Sequence, residues 1–344
     1  MPAKAFHSNM TDSIDHHHEL ARFFSGPNRR QCLQAVAGLA AAWAWGTPAL
    51  AKSSRKLGHL VVVGGAEDRL QDRAVWHRFV DLCGGSQANI LLCTAASGDP
   101  DGAWEGYQPL LRGLGLTQVQ HLRITSAEEA NSTSATDQIL AADGVFLTGG
   151  DQRRLMERLW ETAAARALHL AFHVRGCTVG GTSAGAAVMS RAMLAIGTAT
   201  PRPEKDVVSL DIGLGLVPRA IVDQHFNERG RLGRLMSAIA QRPDLLGVGI
   251  DEDTALVITR DQGIEVVGHG NVTLVDGRRM ETNARDLGPE EQLEMLGLQL
   301  HALPAGHRYL ALPDGEPLPL GERRLPQGLH DAIRLLVEPG PIRG

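Results

Sequence analysis

Three short apolar runs constrain this chain most: Leu60-Val61-Val62-Val63, Ile90-Leu91-Leu92-Cys93 and Val145-Phe146-Leu147. A strand with one wet face alternates polar and apolar residues, whereas a strand apolar at every position must be covered on both faces. The intervening sequence supplies the covers. Val75, Phe79 and Leu82 share one helical face after the first run, and a helix over Trp104–Leu114 and a strand over Val119–Ile124 follow the second. A single long helix is expected from about Arg153 to Val174, with Leu155, Leu159, Ala163 and Leu170 along one side. This order gives an α/β fold, a mostly parallel sheet sandwiched by helices. Ligands of such sheets gather beyond the carboxyl ends of the strands. Gly64-Gly65 and Gly149-Gly150 fall at those ends and should converge.

Gly180-Gly181-Thr182-Ser183-Ala184-Gly185-Ala186-Ala187 also falls there. The apolar Cys177-Thr178-Val179 precedes it as a buried strand, and Ala186 to Met189 start a helix. Its centre reads G-x-S-x-G. A bare match is as often a packing turn, but here the flanking residues are all small and the context is strand–turn–helix. Such a turn lifts the Ser183 hydroxyl off the end of the sheet as a candidate nucleophile. The Ala184 N–H and a glycine N–H from Gly149-Gly150 are the candidate oxyanion donors.

A serine needs a base, and position must choose among fourteen histidines. His225 ends the apolar strand Ala220-Ile221-Val222-Asp223 at the same sheet edge, beside Asp223 and Gln224. The carboxylate that orients the imidazole is sought next. Asp251-Glu252-Asp253 follows the strand Leu246–Ile250, and Glu252 has the stem length to reach inward, with Glu204 and Asp211 as rivals. Arg229, Arg231 and Arg234 come just after the base. They are either a solvated face or a set of guanidinium groups for a carboxylate-rich substrate. Gln152, after Gly149-Gly150, is placed to hold a backbone amide or a carboxylate.

The second half adds a polar loop from Thr198 to Asp206 and a helix carrying Leu232, Leu235, Met236 and Ile239. The short strands Ala255–Thr259, Ile264–Val267 and Val272–Val275 read as one antiparallel meander. A strand near Leu298–Leu303 and a helix near Leu329–Leu336 close the chain. No internal repeat or strong linker divides the sequence.

With 344 residues, 43% of them hydrophobic, the chain can bury a large core. A net charge of −5 with 4% aromatics gives no nucleic-acid footprint. Cys83, Cys93 and Cys177 lie in apolar surroundings and read as core residues. His16-His17-His18 sits in a polar leader, and no ligand cluster with metal spacing appears. No G-x-G-x-x-G opens a helix after a strand, and no cofactor is implied. Arg29-Arg30, an apolar stretch from Ala35 to Trp45 and the closing Ala49-Leu50-Ala51 read as a twin-arginine export signal over residues 1–51. Residues 52–344 then form one catalytic domain that is periplasmic or secreted, with no membrane span in its mature form.

Six motifs in order resemble the cyanophycinase family of serine peptidases, which includes aspartyl dipeptidase. They are Gly64-Gly65-Ala66-Glu67-Asp68, Gly149-Gly150-Asp151-Gln152, Gly180 to Ala186, Asp223-Gln224-His225-Phe226, Arg229 to Arg234 and Gly249 to Ala255. The resemblance runs from about Leu57 to Tyr309 and leaves the tail 310–344 unassigned. It implies a class I glutamine amidotransferase-like fold with antiparallel strands in the C-terminal part, and a homodimer. It implies hydrolysis of cyanophycin, a poly-aspartate whose β-carboxyls carry arginine, to β-Asp-Arg dipeptides. By resemblance Ser183, His225 and Glu252 are catalytic, and Gln152, Asp223, Gln224, Arg229, Arg231 and Arg234 bind substrate, Asp223 facing a guanidinium. An aspartyl or isoaspartyl dipeptidase of the same family, or a non-catalytic peptide binder on the same fold, are the alternatives.

Overall fold

The computed structural model describes residues 58–312, 319 and 324–338. The leader expected over residues 1–51 and part of the tail lie outside the described residues. Five strands run parallel: β1 (His59–Val63), β2 (Asn89–Cys93), β3 (Gln118–Leu122), β4 (Gly144–Leu147) and β5 (Thr178–Thr182), in spatial order β1-β5-β4-β2-β3. Their residues divide between two apolar cores. Val61, Val63, Ile90, Leu92 and Phe146 face one layer, built from helices α1 (Ala74–Cys83) and α2 (Pro100–Gly113). Trp76, Phe79 and Phe146 interlock there, with ring centroids 4.3 to 5.9 Å apart. Leu60, Val62, Leu91, Val145, Leu147 and Val179 face the other layer. An apolar residue at every position is thus the consequence of a cover on each side. The cysteines Cys83, Cys93 and Cys177 are buried in these layers.

The second layer holds α3 (Ala127–Ala130), α4 (Thr133–Ala141), α5 (Gln152–Leu159) and α6 (Ala163–Leu170). The single helix expected over Arg153 to Val174 is therefore two helices and a π-helical turn, Ala171–Arg175. α5 stops at Leu159, Glu161 takes φ 57°, and Thr162 caps the start of α6. The Thr162 hydroxyl donates to Leu159 O at 2.7 Å and accepts from Ala165 N at 3.3 Å. This N-cap resets the register, so Leu170 faces solvent instead of continuing the apolar stripe. The two helices over residues 127–141 had no counterpart in the sequence reading.

Past the short helix α7 (Ala184–Ala187), strands β6 (Ala192–Gly197) and β7 (Val208–Ile212) form a two-stranded ribbon. Then come β8 (Ala220–Gln224), helix α8 (Leu232–Gln241), β9 (Leu246–Ile250), β10 (Thr254–Thr259), β11 (Gly263–Gly268) and β12 (Asn271–Asp276). The expected meander is split. Strand β10 pairs antiparallel with β1, and β11 with β10, extending the first sheet. Strand β12 leaves for a second sheet of order β15-β12-β9-β8, where it pairs with β15 (Gln299–Pro304); the small ribbon β13 (Glu281–Thr282) and β14 (Met295–Leu296) lies between the two in the chain. The reason is burial. Val272 and Leu274 pack into the core between the sheets, while Val275 packs under α8, so β12 needs covers on both faces. Strand β16 (His307–Leu310) takes the place beside β11, and α9 (Gln327–Val337) ends the described chain. Among the described residues no helix is long and apolar enough to cross a membrane.

Candidate active site

Ser183 stands where β5 passes into α7, at φ 53° and ψ −113°. Few non-glycine residues adopt positive φ, and it persists only where the surroundings enforce it. Here Ser183 N donates to Val63 O at 3.1 Å, and α7 descends onto β4 so closely that a Cβ on Gly185 would sit 2.2 Å from Leu147 O. Thr182 and Ala184 are buried while Ser183 keeps partial exposure, so the hydroxyl is the part of the turn offered to solvent.

The candidate base lies one sheet away. β8 ends at Gln224, and His225, at φ 48°, donates its N–H to Gly64 O at 2.7 Å. Its Nε2 is 3.0 Å from Ser183 Oγ and its Nδ1 is 2.5 Å from Glu252 Oε1. Three consecutive carboxylates after β9 take three directions. Asp251 is buried and accepts from Asn227 N and Asn271 N, at 3.1 and 2.9 Å. Asp253 accepts from Asp68 N at 2.7 Å and pairs with His269. Glu252 turns inward to the imidazole, and its own N–H donates to Glu228 Oε2 at 3.1 Å. The rivals lie elsewhere: Glu204 bridges to Gln292, and Asp211 is exposed on β7, accepting from Ile212 N. A hydroxyl, an imidazole and a carboxylate in this sequence can pass the hydroxyl proton to Nε2 and stabilise the imidazolium that results.

Gly149 runs beside the serine: a Cβ there would lie 3.4 Å from Ser183 Cβ. Among the described residues, the N–H groups of Gly149, Gly150 and Ala184 find no acceptor. Gly149 beside Ser183, and Ala184 next to it in the chain, thus carry unpaired donors of the kind a developing oxyanion needs.

The polar residues around the base divide into two groups. Asp223 is buried between two guanidinium groups: Arg231 Nη1 is 3.3 Å from Oδ1, Arg234 Nε is 2.7 Å from Oδ2, and Arg234 Nη2 also bonds Oδ1. Side-chain exposures of 1% for Asp223, 7% for Arg234 and 10% for Arg231 close this cluster to solvent, with two guanidinium groups sharing one carboxylate. Arg231 also bonds the main-chain and side-chain oxygens of Gln224, and Arg234 reaches Gly197 O at 2.7 Å, tying the β6–β7 ribbon to the site. Burial pushes the Arg231 guanidinium down to about 10, with Asp223 opposing it. Arg229 is different: it is exposed, and its guanidinium has no hydrogen-bond partner among the described residues. Gln152 gives its amide NH2 to Ala195 O at 2.8 Å, which leaves Oε1 as the end able to meet a ligand. Gln152 is thus oriented to accept from an N–H and not to hold a carboxylate. Among the described residues no group of three or more His, Cys, Asp and Glu is placed to hold a metal ion.

Two residues of the Gly64–Asp68 stretch had been given no role from sequence. Gly65 lies under the His225 ring, and Glu67 is buried against Thr182. Their only signal was a glycine pair followed by an acid directly after an apolar strand.

The sequence matches the family model described as Peptidase family S51 over residues 60–266. Cyanophycinase from Trichormus variabilis is 40% identical over 251 residues, covering 73% of this chain and 84% of that protein. Cyanophycinase from Geminocystis herdmanii is 37% identical over 251 residues, with 73% and 92% covered. The crystal structure of a peptidase from an acI-B1 Actinobacterium shares the fold, with a TM-score of 0.54 at 23% identity, over 74% of this chain and 98% of that one. The protein is a serine-type peptidase with a mostly parallel central sheet flanked by helices. It belongs to peptidase family S51.

Proposed function

We propose that this protein hydrolyses cyanophycin to β-Asp-Arg dipeptides through an acyl-enzyme on Ser183. The observation that carries the reading is the continuous hydrogen-bonded chain Ser183 Oγ–His225 Nε2 at 3.0 Å and His225 Nδ1–Glu252 Oε1 at 2.5 Å. The identity of 37 to 40% to two cyanophycinases supports the choice of substrate.

The steps follow from the geometry. Ser183 Oγ attacks the scissile carbonyl as its proton passes to His225 Nε2, and Glu252 stabilises the imidazolium. The oxyanion is received by Ala184 N–H and by N–H groups of Gly149 and Gly150; one such donor contributes roughly 3 kcal/mol to transition-state stabilisation. Collapse expels the leaving amine with the proton from His225. Water activated by the same imidazole then releases the acyl group. The unpartnered Arg229 is suited to a substrate carboxylate, and Gln152 Oε1 to an amide or guanidinium N–H. Asp223, Gln224, Arg231 and Arg234 act as the buried frame of this pocket, with Gln224 at its edge.

Three wider readings belong to the same proposal. The nucleophile on a strand-to-helix turn of a parallel sheet supports kinship with class I glutamine amidotransferases. Residues 1–51 act as a twin-arginine export signal, and the mature protein works outside the cytoplasm as a homodimer. The deciding experiment incubates the purified protein with cyanophycin granules and with Asp-X and β-Asp-X dipeptides. Release of β-Asp-Arg, identified by mass, is expected from the polymer. Turnover of the dipeptides alone would make the protein a dipeptidase instead.

A further inference from the structure

The end of β1 and the loop that follows it bond the main chain of Ser183, of His225 and of the residue after Glu252. Val63 O accepts from Ser183 N at 3.1 Å, Gly64 O from His225 N at 2.7 Å, and Gly65 O from Asp253 N at 2.9 Å, one residue past Glu252. Asp68 N donates to Asp253 Oδ1 at 2.7 Å. One side chain of this loop points back into the protein. The carboxylate of Glu67 has 0% side-chain exposure. Its Oε2 accepts from the Thr182 hydroxyl at 2.6 Å, and its Oε1 accepts from Arg69 Nη2 at 2.9 Å and Tyr107 OH at 3.2 Å. Arg69 lies 3.9 Å over the Tyr107 ring. Burial, reinforced by the neighbouring carboxylate, holds the Tyr107 hydroxyl far above its ordinary range, so it stays a donor.

A carboxylate removed from water is costly unless its lone pairs are met, and a residue that only filled space there would be apolar. Here donors from three residues meet it, one of them the residue immediately before Ser183. Ser183 holds a backbone conformation that relaxes if the strand end is free to rotate. The short, charge-assisted bond from Thr182 removes that freedom.

We propose that Glu67 is a positioning residue: through Thr182 it locks the end of β5 to the Gly64–Asp68 loop, so that hydroxyl and imidazole are held by one rigid unit. This rests on the reading of Ser183 as nucleophile.

The test uses the full chain and three variants: Glu67→Gln, Thr182→Val, which keeps the shape and removes the hydroxyl, and Thr182→Ser, which keeps the hydroxyl. Measured are kcat and KM on cyanophycin, the rate of labelling by a serine-directed fluorophosphonate with Ser183→Ala as control, and Tm. Thr182→Val and Glu67→Gln are expected to lower kcat and labelling rate by roughly tenfold or more, with KM within about twofold, because misplacement of reacting groups acts on the chemical step. Thr182→Ser is expected to recover both to within about threefold. A folded Thr182→Val with wild-type labelling rate and kcat overturns the proposal, and so does a loss confined to KM. If Glu67→Gln does not fold, the Thr182→Val and Thr182→Ser pair decides. A wild-type protein that labels no better than Ser183→Ala would instead overturn the nucleophile reading, and the positioning role with it.

Discussion

The imidazole of His225 rests against the bare α-carbon of Gly65. A Cβ built there would lie 2.3 Å from ring Cε1 and 2.5 Å from Nε2, and Gly65 itself takes φ +104°. No L side chain is accommodated without moving the ring off Ser183. We expect Gly65→Ala to lower kcat/KM by on the order of 100-fold, the scale of an ångström-sized misplacement of a reacting group. Circular dichroism and Tm must accompany the kinetics, since the left-handed backbone adds its own strain. Activity near wild type would mean that the imidazole does not depend on this floor.

The hydrogen-bonded chain at the site predicts an order of losses. Ser183→Ala and His225→Ala should each abolish all but residual turnover. Glu252→Gln should cost roughly two orders of magnitude less, since nucleophile and base stay in place and only the stabilisation of the imidazolium and its tautomer is lost. Glu204→Gln and Asp211→Asn should stay within about threefold of wild type, because neither reaches the imidazole. Turnover of cyanophycin measured for all five variants checks the order. A larger loss in Glu204→Gln than in Glu252→Gln would reassign the acid.

Asp223 carries structural weight of its own. Removing its charge leaves the guanidinium groups of Arg231 and Arg234 buried without their carboxylate. Breaking a buried pair from one side typically costs roughly 3–5 kcal/mol, so Asp223→Asn should unfold at clearly lower denaturant. Urea unfolding with a constant m-value would measure this. Arg229→Ala, by contrast, should leave unfolding unchanged and raise KM, because this guanidinium is exposed and unpartnered.

The pair of carboxylates around His269 predicts a pH dependence. His269 Nδ1 is 2.7 Å from Asp253 Oδ2 and its Nε2 is 3.0 Å from Asp72 Oδ2. The hydrogen bond to Asp253, then the charges of Asp72 and Asp253, raise its pKa above the ordinary 6.5. A raised value means that the folded state holds the proton more tightly. The stabilisation is therefore complete below about pH 6.5 and is lost as pH rises through the folded value. The Tm of the wild type should exceed that of His269→Gln at pH 6, and the two should converge as pH rises or salt is added. Parallel curves across the range would count against the coupling.

Leu60 to Val63 has no polar residue, and that alone requires a strand covered twice; the two core layers are those covers. The helix break at Glu161–Thr162 was missed because a threonine in a helical pattern reads equally as an interior residue or an N-cap, and only the bond its hydroxyl accepts from Ala165 N distinguishes them. The crossing of β12 was missed because two short strands joined by a turn look the same whether they extend one sheet or leave it.

By itself the sequence determined the covered parallel strands, the small-residue turn bearing Ser183 and the strand ends bearing His225 and Glu252, because these are local: periodicity, side-chain size and turn chemistry act over a few residues. Only the tertiary structure decided which carboxylate meets the imidazole, that Arg231 and Arg234 close on Asp223 while Arg229 stays open, and that Gly65 lies under the His225 ring and Glu67 against Thr182. Those outcomes depend on which groups from distant segments share a buried volume, and there the cost of an unmatched charge selects the partner.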